Sequence, residues 1–291
     1  MITITEPGFY TDLTEEEYHA DPCDMPSLSR TVAKILIDRT PGHAKIAHPR
    51  LTPPDPESDD EAEPKFDLGT AAHSHLLGRG KQMVALPYKD WRQKAAKEER
   101  ASYRAAGKIP LLESQHKRVV KMVGAAKAQG WSELFNSGES EVVAVSDDPV
   151  AGKMRCMLDR WWKSTAVIVD IKTTDIPLNM ENVGRHCASM GYEFQQAFYE
   201  RVICGIEPAY RRHLDFIFLF IETREPFAVL PVRLPADAMA KGRHYVELAC
   251  QRWRACREAD RWPLFEDGIQ MVEYPPWQIA EFSAYSEGQN L

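Results

Sequence analysis

The sequence predicts an α/β fold, with a mixed β-sheet flanked by helices, and three observations carry that expectation. EVVAVS (141–146), KMRCMLDRWW (153–162) and AVIVDIK (166–172) are β-branched or alternating runs. Turn residues at 147–152 and 163–165 break them up, which reads as a β-meander. GYEFQQAFYERVIC (191–204) then returns to helical character before two more strand-like runs, LDFIFLFIE (214–222) and PFAVLPVRL (226–234). The first of these is apolar at most positions, the mark of a strand buried on both faces. The residues before 130 read as helices. One α/β domain over 1–291 with a helical N-terminal region is the simplest architecture.

Ser27-Leu28-Ser29 opens a helix with Ser at the N-cap, running through RTVAKILID and stopping before Pro41. FDLGT (66–70) leads into a short helix, AAHSHLLG, closed by Gly78. Residues 89–108 read as an exposed helix with seven Lys/Arg against three acids and with Trp91 and Tyr103 interleaved. Such a charged run suits either a solvated face or a wall facing DNA, with Arg92 and Lys94 as candidate contacts in the second case. Helices are also expected at about 111–129 and 236–258, the latter followed by an irregular tail with Trp262-Pro263 and Pro275-Pro276-Trp277.

Composition narrows the function classes. With 44% hydrophobic and 27% charged residues the chain can bury a real core. No apolar run approaches the roughly 18 residues of a membrane span, and the polar, acidic N-terminus does not resemble a signal peptide. A cytoplasmic protein with no membrane association is expected. The six cysteines are scattered without a CxxC pair, so they predict buried thiols rather than zinc or iron–sulfur ligation. The net charge of −7 looks unfavourable for a nucleic-acid partner until it is located. PPDPESDDEAEP (53–64) holds six acids and no base, leaving the remainder near neutral. That stretch reads as an acidic, solvated loop.

The chemistry centres on Asp159 and on Asp170-Ile171-Lys172 eleven residues later. Residues two apart on a strand share a face, so Asp170 and Lys172 project together. The hairpin before them can set Asp159 alongside. Two carboxylates and an ammonium suit metal-assisted phosphodiester hydrolysis: hard oxygens take Mg²⁺, and the ammonium orients water or meets developing negative charge. The tripeptide D-x-K alone is common and is usually a solvated pair. Here it follows the apolar run AVIV, and a carboxylate on a buried strand asks for a functional or metal-bound role.

Four segments in sequence strengthen this reading: FDLGTAAHSHLLG, GESEVVAV, KMRCMLDRWW…VIVDIKTT and YEFQQAFY. Together they resemble the RecE-type exonucleases of the PD-(D/E)xK superfamily, from about residue 26 to the Pro275-Pro276-Trp277 tail. The resemblance implies a restriction-endonuclease-like core with a central mixed sheet. It implies His73, Glu141, Asp159 and Asp170 as metal ligands, with the Ile171 carbonyl as a further one. Asp159, Asp170 and Lys172 would be catalytic together with Gln195 and Tyr199, and Thr173 and Thr174 would contact DNA. From the residues alone, a histidine such as His73 on a helix is more often structural than a ligand, with His75 the weaker ligand choice. Glu139 lies one alternation from Glu141 and competes with it. Gln195 and Tyr199 share one helical face, which also suits a Tyr packed in the core.

The implied activity is Mg²⁺-dependent exonuclease action on double-stranded DNA ends, with Mn²⁺ as substitute, leaving single-stranded overhangs for recombination. A 5′→3′ polarity, a ring-like homo-oligomer, phage or prophage origin in a bacterial cytoplasm and a single-strand annealing partner come with the same resemblance. The iron–sulfur cysteines of some relatives and any GxxxxGK[ST] nucleotide loop are missing, so neither cluster nor nucleotide is expected. The rival readings are a PD-(D/E)xK endonuclease or RecB-like repair nuclease, and a non-catalytic DNA-binding protein on a degenerate nuclease fold. The full Asp159, Asp170 and Lys172 set argues against the last.

Overall fold

The structure is a computed structural model that describes residues 2–52, 71–72, 74–78, 81–265, 268–269, 271–274 and 276–277. The acidic stretch 53–64 lies outside the described residues, as do Gly69, Thr70 and His73. In chain order the elements are β1 (Gly8–Tyr10), α1 (Glu15–His19), β2 (Leu28–Ser29), α2 (Arg30–Asp38) and α3 (Pro41–Ala47). Next come α4 (helical residues 71–72 and 74–77), β3 (Met83–Leu86), α5 (Lys94–Ala105), β4 (Ile109–Leu112), α6 (Glu113–Ala128) and α7 (Ser132–Asn136). The second half holds β5 (Glu139–Asp148), β6 (Gly152–Trp162), β7 (Val167–Thr174), α8 (Met180–Met190), α9 (Tyr192–Ile206), β8 (Asp215–Glu222), β9 (Val229–Val232) and α10 (Ala236–Ala259). Among the described residues no helix is long and apolar enough to cross a membrane.

A mixed seven-stranded sheet runs in the order β1-β5-β6-β7-β8-β9, with β2 pairing β6 beside it. The meander expected from 141–172 is present: β5–β6 and β6–β7 are antiparallel, whereas β7–β8 is parallel and needs the helical crossover through α8 and α9. β8 is buried on both faces. Phe216, Phe218 and Phe220 join the core under α9 and α10, and Leu219 and Ile221 join a second core with Val119, Met122 and Val123 of α6. All six cysteines are buried and free.

Several elements depart from the sequence-based expectation. The helix expected from about 111 starts at Glu113, because Ile109–Leu112 pairs in parallel with Met83–Leu86 as a separate two-stranded sheet. The charged helix expected over 89–108 spans only Lys94–Ala105. Helix α8 was not expected. It is capped by the Asn179 side chain at the backbone N–H of Asn182 and stops at Gly191, whose φ of +67 ends one helix and redirects the chain into α9.

Helix α2 is anchored from below by buried charge. The Arg155 guanidinium donates to the Ser27 hydroxyl and carbonyl and lies 3.0 Å from Asp21. Burial raises the Asp21 pKa, but hydrogen bonds from His48 and Ser27 and the Arg155 charge hold it below the usual carboxylate range. This buried cluster fixes the Ser27–Ser29 segment, and the Ser29 side chain then accepts from the Val32 N–H as the helix N-cap.

Helices α9 and α10 approach closely because Gly242 carries no side chain. A Cβ there would lie 2.2 Å from the Glu193 carbonyl oxygen, two residues before Gln195. Gly242→Ala must push the helices apart, and the expected cost is about 1–3 kcal/mol of stability. A lower midpoint in urea unfolding checks this; an unchanged midpoint would mean that the crossing tolerates the methyl group.

Candidate active site at the fork of β6 and β7

Strands β6 and β7 pair over three residues only: Trp162↔Val167, Trp161↔Ile168 and Arg160↔Val169. Beyond that point they separate, and further along β6 its edge is taken by β2, at Leu28↔Met154 and Ser29↔Arg155. The next residue on each strand past the last pair is Asp159 on β6 and Asp170 on β7. Separation removes the β-ladder acceptors for β7, and the Asp159 carboxylate takes over, accepting from the Ile171 N–H at 2.7 Å. A local break in the sheet therefore holds the two carboxylates together.

Asp170 and Lys172 lie opposite Phe218 and Phe220 of β8, on the face covered by α9. Asp170 is 2% exposed. The Lys172 ammonium stands 2.5 Å from one of its oxygens and the Gln195 amide donates to the other at 2.5 Å. The Lys172 ammonium also sits 5.0 Å from the centroid of the Tyr192 ring, which stacks on Phe218. Burial, and then the Asp170 charge, raise the Tyr192 pKa, so its hydroxyl stays neutral. The result is a buried carboxylate whose charge is matched by one ammonium and whose orientation is set by an amide.

Across the β5–β6 ladder, Ser140↔Arg160 and Val142↔Leu158 bracket Glu141 and Asp159, which therefore face each other. Glu141 has φ +53, a left-handed conformation that costs a non-glycine residue about 1–2 kcal/mol and marks a site under constraint. Glu139 is exposed at the strand end. Arg160, buried between them, donates to the Ser140 hydroxyl and to the carbonyls of Leu76 and Leu77 at the end of α4. Ser140 donates to the Leu77 carbonyl as well. Burial lowers the Arg160 pKa, opposed by the charges of Asp159 and Glu141. Arg160 and Ser140 thus tie α4 to the two strands that carry the acids.

The remaining candidates are distributed as follows. Tyr199 is buried against Phe216, one turn from Gln195, and burial pushes its pKa well up. Thr174 is buried, and its hydroxyl accepts from the Ile176 N–H to turn the chain out of β7, whereas Thr173 is half-buried beside Lys172. Arg92 and Lys94 are almost fully exposed, beside Asp90 and Glu98 respectively. His75 is exposed, and partial burial, then Lys127 and His116, lower its pKa. Two residues at the site were not legible in the sequence. Arg160 read as one charge in a strand, and Arg30, which donates to the Gln195 side-chain oxygen Oε1 at 3.2 Å, read as an ordinary first helical residue.

The donors gathered at the fork are carboxylate oxygens, which suit a small hard divalent ion. Among the described residues no three His, Cys, Asp or Glu side chains form a ready-made cluster. Asp159 and Asp170 form a pair, with Glu141 across the ladder.

A carboxylate pair and a lysine at the point where a hairpin opens against a parallel neighbour define the PD-(D/E)xK nuclease class. The chain belongs to the family described as "PDDEXK-like domain of unknown function (DUF3799)", whose pattern matches residues 53–273. The fold is similar to that of a solved structure from Eubacterium rectale described as "Putative exonuclease". The two align with a TM-score of 0.60 at 15% identity over 94% of this chain and 98% of the other. A second solved structure, described as SSO0001, aligns over 64% of this chain and 84% of the other at 13% identity. Its TM-score of 0.28 is too low to establish a shared fold. No curated protein sequence matches this one. Nucleases of the PDDEXK class generally use divalent metal ions.

Proposed function

We propose that the protein is a Mg²⁺-dependent exonuclease of the RecE type that degrades double-stranded DNA from an end, leaving single-stranded overhangs for recombination. The observation that carries this reading is the pairing of Asp159 and Asp170 at the β6–β7 fork, with Lys172 against Asp170. Asp159, Asp170 and the Ile171 carbonyl, with Glu141 and His73, would hold the metal; His73 lies outside the described residues. When bound, a divalent ion supplies Lewis-acid polarisation of the scissile phosphate and a water of lowered pKa. Lys172 would direct the attacking water or meet the charge that grows on the phosphate. Gln195 keeps Asp170 in place while that charge moves. The reading extends to 5′→3′ polarity, a homo-oligomer that encloses DNA, a single-strand annealing partner, phage or prophage origin and a bacterial cytoplasm, all on the strength of the four-segment resemblance.

End dependence tests the proposal against an endonuclease. Linear duplex should be degraded in Mg²⁺ or Mn²⁺ while closed circular duplex survives, and nicking or cutting of the circle would overturn the exonuclease assignment. Ca²⁺ should support DNA binding with cleavage reduced at least about a hundredfold, because it takes oxygen ligands but is larger and a weaker Lewis acid. Equal rates in Ca²⁺ would contradict the proposed role of the metal.

A further inference from the structure

A cation taken out of water needs an opposite charge nearby, or its desolvation goes uncompensated. Two buried or half-buried arginines of this protein obey the rule. Arg155 stands 3.0 Å from Asp21, and Arg201 bonds Asp148 at 2.7 Å and Glu247 at 2.5 Å. Arg30 does not. It is half-buried at the start of α2, and its guanidinium gives one hydrogen bond, to the neutral Gln195 side chain. Its Nε is buried with no hydrogen-bond partner, and no carboxylate oxygen among the described residues lies within 4.0 Å.

The position of this unmatched cation is informative. β2 leads directly into Arg30 and occupies the edge of β6 beyond the point where β7 separates, so α2 starts beside the fork. Arg30 is two hydrogen bonds from Asp170, through Gln195. It cannot serve as the counter-charge to Asp170, because Lys172 already does so at 2.5 Å. The spare donors of a guanidinium match the geometry of a phosphate's oxygens.

We propose that Arg30 binds a backbone phosphate of the DNA strand held at the β6–β7 fork, supplying the counter-charge that the protein itself withholds. The inference rests on the nuclease reading above and names a contact to the substrate. It makes Arg30 a substrate-binding residue, and the hydrogen bond to Gln195 sets the plane of its guanidinium.

Two variants separate charge from support. Arg30→Gln keeps a donor for Gln195 but loses the charge, and Arg30→Lys keeps the charge. Binding of a short duplex is measured in Ca²⁺ by fluorescence anisotropy, with thermal melting to confirm folding. Duplexes carrying one neutral methylphosphonate linkage at each of the terminal positions in turn are compared with the unmodified duplex. Arg30→Gln should weaken binding of the unmodified duplex about 10- to 100-fold, and Arg30→Lys by clearly less. At one linkage position, wild type and Arg30→Gln should bind alike, because the phosphate charge is already gone. The inference is overturned if Arg30→Gln binds like wild type, or if its deficit persists at every neutral linkage, which would mean that Arg30 acts only through the fold. It is also overturned if Arg30→Gln folds and binds well while Arg30→Lys fails. If wild type neither binds nor cleaves duplex in any divalent ion, the nuclease reading fails first and takes this inference with it. Normal cleavage by wild type with an unimpaired Arg30→Gln variant removes this inference alone.

Discussion

Asp170→Asn is expected to lower the rate of DNA cleavage more than about a thousandfold while the protein stays folded. Asn keeps the shape of the carboxyl and one oxygen, which can accept from Lys172 or from Gln195 but not from both, because the two donors bond different oxygens of Asp170. The loss of one hydrogen bond costs about 1 kcal/mol and leaves the packing under α9 in place. What it loses is the negative charge needed to hold a divalent ion beside Asp159. Asp170→Ala should be equally inactive but less stable, because it leaves a largely buried ammonium without its carboxylate. The measurement is the cleavage rate in Mg²⁺, with urea unfolding for each variant. A folded Asp170→Asn variant retaining more than a tenth of the wild-type rate, a loss below about 1.4 kcal/mol in barrier, would remove the fork from consideration as the reacting centre.

Lys172→Met should cost at least about a hundredfold in turnover, with DNA binding in Ca²⁺ much less affected. The methionine keeps an apolar stem against the Tyr192 ring and removes the ammonium that faces Asp170. If the ammonium acts on the attacking water or the developing phosphate charge, its loss appears in the chemical step. Single-turnover rates separate that step from binding. A variant that binds poorly but, once saturated, cleaves at the wild-type rate would show that Lys172 serves the ground state only.

Much of the sheet is legible in the sequence because each long strand carries its own pattern. The β-branched, apolar runs in 141–146 and 214–222 and the mixed run in 153–162 report burial that the strands keep in the fold. The pairing of β2 with β6 and of β3 with β4 is not legible. These strands have two and four residues, and what makes them strands is a partner far along the chain. At the site, the common face of Asp170 and Lys172 follows from period-two alternation, and the structure adds the reason Asp159 joins them: β6 and β7 separate one residue short of it. The choice between Glu139 and Glu141 depends on cross-strand register, which places Glu141 opposite Asp159 and leaves Glu139 exposed at the strand end. Arg30 could not have been found from the sequence, because its significance is a missing counter-charge, and that is visible only once its neighbours are in place.

We propose the β6–β7 fork as a metal-dependent phosphodiesterase centre working on duplex ends. The most direct measurement uses linear duplex labelled at either the 5′ or the 3′ end, incubated with wild type or Asp170→Asn in Mg²⁺ and in EDTA. Wild type in Mg²⁺ should release the 5′ label at once as short products while the 3′-labelled strand stays long until late. EDTA and Asp170→Asn should each leave both labels in full-length DNA. Undiminished cleavage in EDTA after thorough metal removal, or by the folded Asp170→Asn variant, would mean that the fork is not a metal-dependent reacting centre.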